Sequence, residues 1–313
     1  MRTWAKQTAF VTDPTGFIGT ELVNLLVARG HEVFALTGSF EAAASVRRAG
    51  AVAIMGDVST PGRWQDEAAA DWVFHLAPQH INRARLGPHR SATIASALGR
   101  MDVNLLDAVA AGATQRIVYV ADMSCYGSAG ARSVTEDEPP RPSSSGRWLV
   151  PGFERVEGYV LSGLPIVTAI PGCVYGNGSW FRELVIEPLL AGRRVLQFRS
   201  VSPLVSPIHV HDVARALIHL VEHGTIGGRY FLVNSEPARF DDFANTFARL
   251  ADRPLRVLRL PAPALRLAIG SRLPGGLESD AVLSNIRLRG TNFRFAFSTL
   301  EQGLRHVHEN LDG

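Results

Sequence analysis

Lysine is all but missing from this 313-residue chain: of its 32 lysine and arginine residues, only Lys6 is a lysine. Chemistry that needs an amine in a cleft must use Lys6 or do without it, and Lys6 precedes the first predicted strand. Cysteine is nearly as scarce. Cys125 and Cys173 lack metal-ligand spacing, so no disulfide framework and no metal are expected, and both thiols should be reduced and packed. No apolar run approaches the roughly 20 residues of a membrane helix, and none makes a secretory h-region, so a cytoplasmic address without a membrane partner is expected. Charge of one sign is also sparse. The net +3 is too small and too dispersed to suit nucleic acid.

What is present is alternation. Short apolar strands are predicted at 8–12, 32–36, 51–55, 72–76, 116–120 and 166–170, with helices at 18–28 and 40–49 and two more ending near Ala111 and Ser162. Gly30, Gly50, Gly112 and Gly163 fall where those helices should stop. Strand–helix alternation of this kind makes a parallel sheet covered on both faces. Beyond Ile170 the pattern loosens, which suits a smaller unit over the strand ends. Residues 1–170 are expected to be mainly dinucleotide-binding and 171–313 mainly substrate-binding, with some elements returning to the sheet. The acidic, Pro- and Ser-rich loop 135–146 is expected to be mobile.

Between the first strand and its helix stands Thr12-Asp13-Pro14-Thr15-Gly16-Phe17-Ile18-Gly19. Gly16 and Gly19 suit a turn that offers helix N–H groups to a pyrophosphate, although Asp13 replaces the first glycine of such a fingerprint. At the end of the second strand, Thr37-Gly38-Ser39 carries no acid to hold a ribose 2′-hydroxyl and none to repel a 2′-phosphate. NADPH is therefore preferred over NADH, with Ser39 and one of Arg47, Arg48 or Arg63 as candidate phosphate partners.

These segments resemble the extended short-chain dehydrogenase/reductase family, whose turn is T-G-x-x-G-x-x-G. The resemblance continues through Gly56-Asp57-Val58, His75-Leu76-Ala77-Pro78, Gly163-Leu164-Pro165, Pro171-Gly172-Cys173-Val174-Tyr175-Gly176 and Ile208-His209-Val210-His211-Asp212-Val213-Ala214. It implies a Rossmann-type, doubly wound parallel α/β sheet with a smaller C-terminal substrate-binding subdomain. It also implies cofactor contacts from Asp13, Thr15, Gly16, Phe17, Ile18, Thr37, Ser39, Asp57, Val58, Leu76, Ala77, Pro78, Val120, Ala121, Pro171, Gly172 and Val174.

The family transfers its proton through Ser, Tyr and Lys, and here all three are replaced. The Ser position falls on Asp122, in Asp122-Met123-Ser124-Cys125-Tyr126-Gly127. The Tyr and Lys positions fall on Ser145 and Leu149. Asp122, Ser124 and Ser145 are the remaining catalytic candidates. Asp122 is either an acid with a raised pKa or, preferably, a structural acceptor. Ser124, Tyr126, Ser145, Trp148, Trp180 and Phe181 are the expected substrate contacts, and the cluster of Trp148, Leu149, Val150, Pro151, Phe153, Trp180 and Phe181 suits a polycyclic aromatic ketone.

Members of the family that lack Tyr and Lys include ketoreductases of aromatic polyketide pathways, acting on angucyclinone-like substrates. The resemblance thus implies NADPH-dependent ketone reduction, with the proton from a neighbouring substrate hydroxyl or from water. A catalytically inactive NADP-binding sensor and a non-redox cyclase or dehydratase are the alternatives. A monomer or homodimer is expected.

Overall fold

The structure, a computed structural model, describes residues 6–76, 88–127, 129–142, 146–269 and 281–311. Seven strands form its main sheet: β1 (Thr8–Val11), β2 (Glu32–Thr37), β3 (Val52–Met55), β4 (Trp72–His75), β5 (Arg116–Val120), β6 (Ile166–Pro171) and β7 (Arg229–Leu232). They lie in the order β7-β6-β5-β4-β1-β2-β3, and every neighbouring pair is parallel. The order reverses between β1 and β4, and the crevice at that reversal is where open α/β sheets bind their ligands.

Helices cover both faces, as the apolar strands require. On one face α1 (Phe17–Ala28) buries Leu22, Val23 and Leu26 beside α5 (Val210–His223), whose Val213, Leu217 and Leu220 point inward. On the other, Leu105, Leu106 and Val109 of α3 (Pro88–Ala110) and Phe153 and Val156 of α4 (Val150–Leu161) cover Phe10, Val73 and Ile117. The short helix α2 (Phe40–Arg48) joins β2 to β3. Gly30, Gly50 and Gly163 take the left-handed conformation expected of helix stops, whereas Gly112 does not.

The last strand, β7, has no counterpart among the predicted strands. It comes from the second half of the chain, as does α5, and both complete the sheet. A third core holds the remainder together. Trp180 and Phe181 pack there against Phe240, Phe243 and Phe247 of α6 (Phe240–Leu250), with Leu304 and Val307 of α7 (Leu300–Glu309).

The described part of the acidic loop is pinned rather than loose. Arg132 donates two hydrogen bonds of 2.8 Å to the Glu138 carboxylate, and Arg287 pairs with Asp137. Glu136 is buried, and its Oε1 accepts from the Phe231 N–H of β7 at 2.9 Å. Burial raises the pKa of that carboxyl. Among the described residues, no helix is long and apolar enough to cross a membrane.

Candidate dinucleotide and proton-transfer site

The turn after β1 is built as the glycine fingerprint requires, with one substitution. Asp13 takes φ 53°, a left-handed conformation that aspartate tolerates better than most residues. Its carbonyl accepts from Gly16 N–H at 3.2 Å. A Cβ on Gly19 would lie 2.0 Å from that same carbonyl oxygen, so only glycine lets α1 approach the turn this closely. No side chain caps the start of α1, and its first turn contains no acid. Its leading N–H groups and positive dipole end therefore suit a pyrophosphate. Thr15 is exposed, Phe17 is half-buried under Gly176 and Gly178, and Ile18 belongs to the core.

The end of β2 is open at Gly38. A Cβ on Gly38 would meet only the Gly56 carbonyl, at 3.9 Å. Asp57 is exposed, with Oδ1 accepting from Ser59 N–H at 2.8 Å, and Val58 is buried behind it. Thr37 is buried and donates to the Ile54 carbonyl at 3.3 Å, so its hydroxyl serves the strands. Ser39 caps α2 by accepting from Ala42 N–H at 3.1 Å, which leaves its hydroxyl hydrogen to donate. Arg47 and Arg48 do not meet the expectation of a phosphate partner. They stand in the last turn of α2, roughly 10 Å along the axis from its start, and Arg48 bonds its own helix at Ala44. Arg63 is exposed in the turn after β3.

At the nicotinamide end, Leu76, Val120, Ala121, Pro171 and Gly172 are buried at the carboxyl ends of their strands, and Val174 is half-buried. Ala77, Pro78 and Ser145 lie outside the described residues. The glycine turn and this shelf of strand ends fit a dinucleotide, which α1 would hold by its pyrophosphate and Pro171 to Val174 would meet at the other end.

A buried polar chain underlies the crevice. Thr12 Oγ1 accepts from Leu76 N–H at 2.9 Å and lies 3.1 Å from His75 Nδ1. Asp102 can only accept, so His75 presents Nε2–H to its Oδ1 at 3.1 Å. Arg155 of α4 donates to Asp102 Oδ2 at 2.6 Å. Burial, and then the Asp102 charge, push the phenol pKa of nearby Tyr119 of β5 well up, so it stays protonated. His75 and Asp102 have no exposed surface. Gly99 makes room for the guanidinium, since a Cβ there would lie 2.8 Å from an Arg155 terminal nitrogen.

Two of the family's lost relay positions, 122 and 149, meet beside this chain. A Cβ on Gly146 would lie 2.0 Å from the Ser124 carbonyl oxygen, so the segment entering α4 rests directly on the turn after β5. Asp122 and Leu149 thereby line one cavity of about 20 Å³ with Asp102, Tyr119, Trp148 and Arg155. Asp122 accepts from Ser124 N–H at 2.8 Å, a helix-cap geometry. Ser124 is buried, and its hydroxyl makes no hydrogen bond to a described residue.

Three expected substrate contacts are instead part of the core. Tyr126 is 3% exposed, edge-on to Phe153 and Phe231. Trp180 and Phe181 are 7% and 0% exposed, and Trp180 donates to the Val174 carbonyl. Packing accounts for them, because their rings are covered by Phe240, Phe243 and Phe247. Trp148, by contrast, lines the cavity shared by Asp122 and Leu149.

A wider cleft of about 340 Å³ opens between the start of α1 and α7, lined by Thr15, Glu21, Asn177, His209, His211 and His306. His211 pairs with Glu21 at 2.6 Å. His209 is held neutral, its pKa lowered to about 3 by burial and then by His306 and His211. Below the ordinary pKa of 6.5 the unfolded chain takes up this proton and the folded chain does not, so stability falls as pH drops toward 3. His209→Gln is expected to flatten that acid limb. Urea midpoints at pH 7 and pH 4.5 check it; equal losses in variant and wild type would contradict it.

The fold and this site define a dinucleotide-dependent enzyme of the epimerase and reductase kind. The chain belongs to the NAD dependent epimerase/dehydratase family, which it matches over residues 9–232. It is 27% identical over 289 residues to a 4-hydroxy-2-methyl-3-oxo-4-farnesyl-3,4-dihydroquinoline-1-oxide ketoreductase of Stigmatella aurantiaca, covering 89% of this chain and 84% of that one. It is 30% identical over 245 residues to a dTDP-4-dehydro-6-deoxy-D-allose reductase of Streptomyces bikiniensis, covering 71% and 74%. Among solved structures, UDP-glucose 4-epimerase of Thermotoga maritima shares the fold with TM-score 0.80 at 18% identity, covering 96% of this chain and 97% of that one.

Proposed function

We propose that the chain is an NADPH-dependent ketoreductase acting on a carbonyl of a fused-ring aromatic ketone, of the angucyclinone-like polyketide class. The observation that carries this reading is the cavity where positions 122 and 149 converge. The family's Ser and Lys are gone from it, and Trp148, Leu149, Pro151 and Phe153 form an apolar wall. The cavity itself has room for no more than a water, so a substrate would lie against the outer side of half-buried Trp148 and Leu149, an apolar face that favours a flat ring system over a sugar. The name of the Stigmatella relative's substrate, an oxo-dihydroquinoline, agrees with a fused-ring ketone.

NADPH supplies a hydride when bound. The chain's own contribution is to hold the pyrophosphate on α1 and to leave the end of β2 without an acid, so that a 2′-phosphate is not repelled. Apolar side chains exclude bulk water from the reacting carbonyl. The proton comes from a hydroxyl of the substrate or from water, since no Tyr-Lys pair remains.

The test is oxidation of NADPH in the presence of α-tetralone and of its peri-hydroxy analogue, followed at the nicotinamide absorbance band with the alcohol product measured. Coupled loss of NADPH and gain of alcohol is expected. Tight NADPH binding with no turnover of either ketone would sink the reading.

A further inference from the structure

Resting on that reading, we propose that the cavity between α3, β5 and α4 is a site for one ordered water, and that this water donates the proton that the family takes from tyrosine. The cavity's volume, about 20 Å³, exceeds the roughly 10–15 Å³ that one water needs. A structural water also needs two to four polar partners. Asp102, Tyr119, Asp122 and Arg155 line this cavity, and the first three are buried.

Gly152 is what keeps the space open. It stands in the first turns of α4 with no left-handed strain, and a Cβ there would lie 3.1 Å from the Tyr119 hydroxyl and 3.8 Å from Asp102 Oδ2. A side chain at 152 would therefore occupy the place beside the two groups best able to hold a water. The location is equally specific. Leu149, at the family's lysine position, and Asp122, at its serine position, form the walls.

The step balances with NADPH as the two-electron reductant and water as the proton source. Hydride arrives at the carbonyl carbon with two electrons, and the C=O π pair moves to oxygen. One O–H bond of the water breaks and the alcohol O–H bond forms. The hydroxide left behind is neutralised by a proton from bulk water past Arg155, whose side chain is 25% exposed. Asp102 is a positioning residue in this scheme. His75 and Arg155 hold its two oxygens, so it can accept from the water without rotating.

The experiment compares wild type with Gly152→Ala, using α-tetralone, which has no hydroxyl beside its ketone. Alanine suits the helical backbone at 152, so the variant is expected to fold and to bind NADPH with unchanged Kd. Its kcat is expected to fall about 100-fold, the lower range for loss of a positioned proton donor. High-resolution crystal structures should show a water within hydrogen-bond distance of Tyr119 in wild type and none in the variant. Tyr119→Phe, which removes one partner of the water and adds no bulk, gives a second measure and should also lower kcat at constant NADPH Kd. If Gly152→Ala keeps kcat within about threefold, or wild type reduces only the peri-hydroxy ketone, the water is not the donor. If wild type oxidises NADPH with neither ketone, the reductase reading itself fails and takes the water's role with it.

Discussion

Gly19→Ala is expected to weaken NADPH binding more than about 100-fold, which corresponds to roughly 2.7 kcal/mol. The new methyl group would lie 2.0 Å from the Asp13 carbonyl oxygen, a backbone atom that no rotamer change can move. The start of α1 must therefore shift away from the turn, taking its uncapped N–H groups with it. Overpacking of this kind costs about 1–3 kcal/mol of stability, and the upper end is expected where the clash is with backbone. Isothermal titration with NADPH measures the first effect and urea unfolding the second. An alanine variant with wild-type affinity would show that the pyrophosphate does not sit on this helix.

The second large effect is expected at Arg155. Arg155→Met leaves the Asp102 carboxylate in the core without its guanidinium partner, and removing one partner of a buried pair costs about 3–5 kcal/mol. Arg155 is partly exposed, so the loss is expected near the lower end. The cause can be separated from lost packing. Asp102→Asn in the Arg155→Met background removes the stranded charge but keeps an oxygen to accept from His75. It is expected to recover at least about 1 kcal/mol. Urea denaturation of the four proteins closes the cycle. No recovery in the double variant would mean that the guanidinium matters for its packing across Gly99 and not for its charge.

The sheet was legible because its strands are short apolar runs with glycine stops between them. Each of the first six was placed to within about two residues. β7 escaped because it follows a region where strand–helix alternation has lapsed. The cofactor turn was legible down to Asp13, whose tolerance of positive φ lets it replace a glycine.

The polar chain was not read, although a signal existed. Asp102 shares a helix face with Leu98, Leu105, Leu106 and Val109, and an acid on an apolar stripe must be met by a donor inside the core. Nothing in the sequence says that the donors are His75 and Arg155, which come from two other elements. Trp180 and Phe181 were assigned to substrate by their distance from the sixth strand. The spacing of Phe240, Phe243 and Phe247 marks the apolar helix face that covers them, and that pairing is visible only in three dimensions.

Glu136 bears on how these molecules meet one another. An outermost strand presents spare backbone donors and acceptors, and a second chain can extend the sheet by pairing with them. At β7 one such donor, Phe231 N–H, is already taken by a buried carboxylate whose loop is tied down through Asp137 and Glu138. Strand-to-strand association through this margin would first have to expel Glu136 and its loop. Two copies that associate are therefore directed to helix faces or to the opposite margin at β3, where Val52 and Met55 are each 44% exposed.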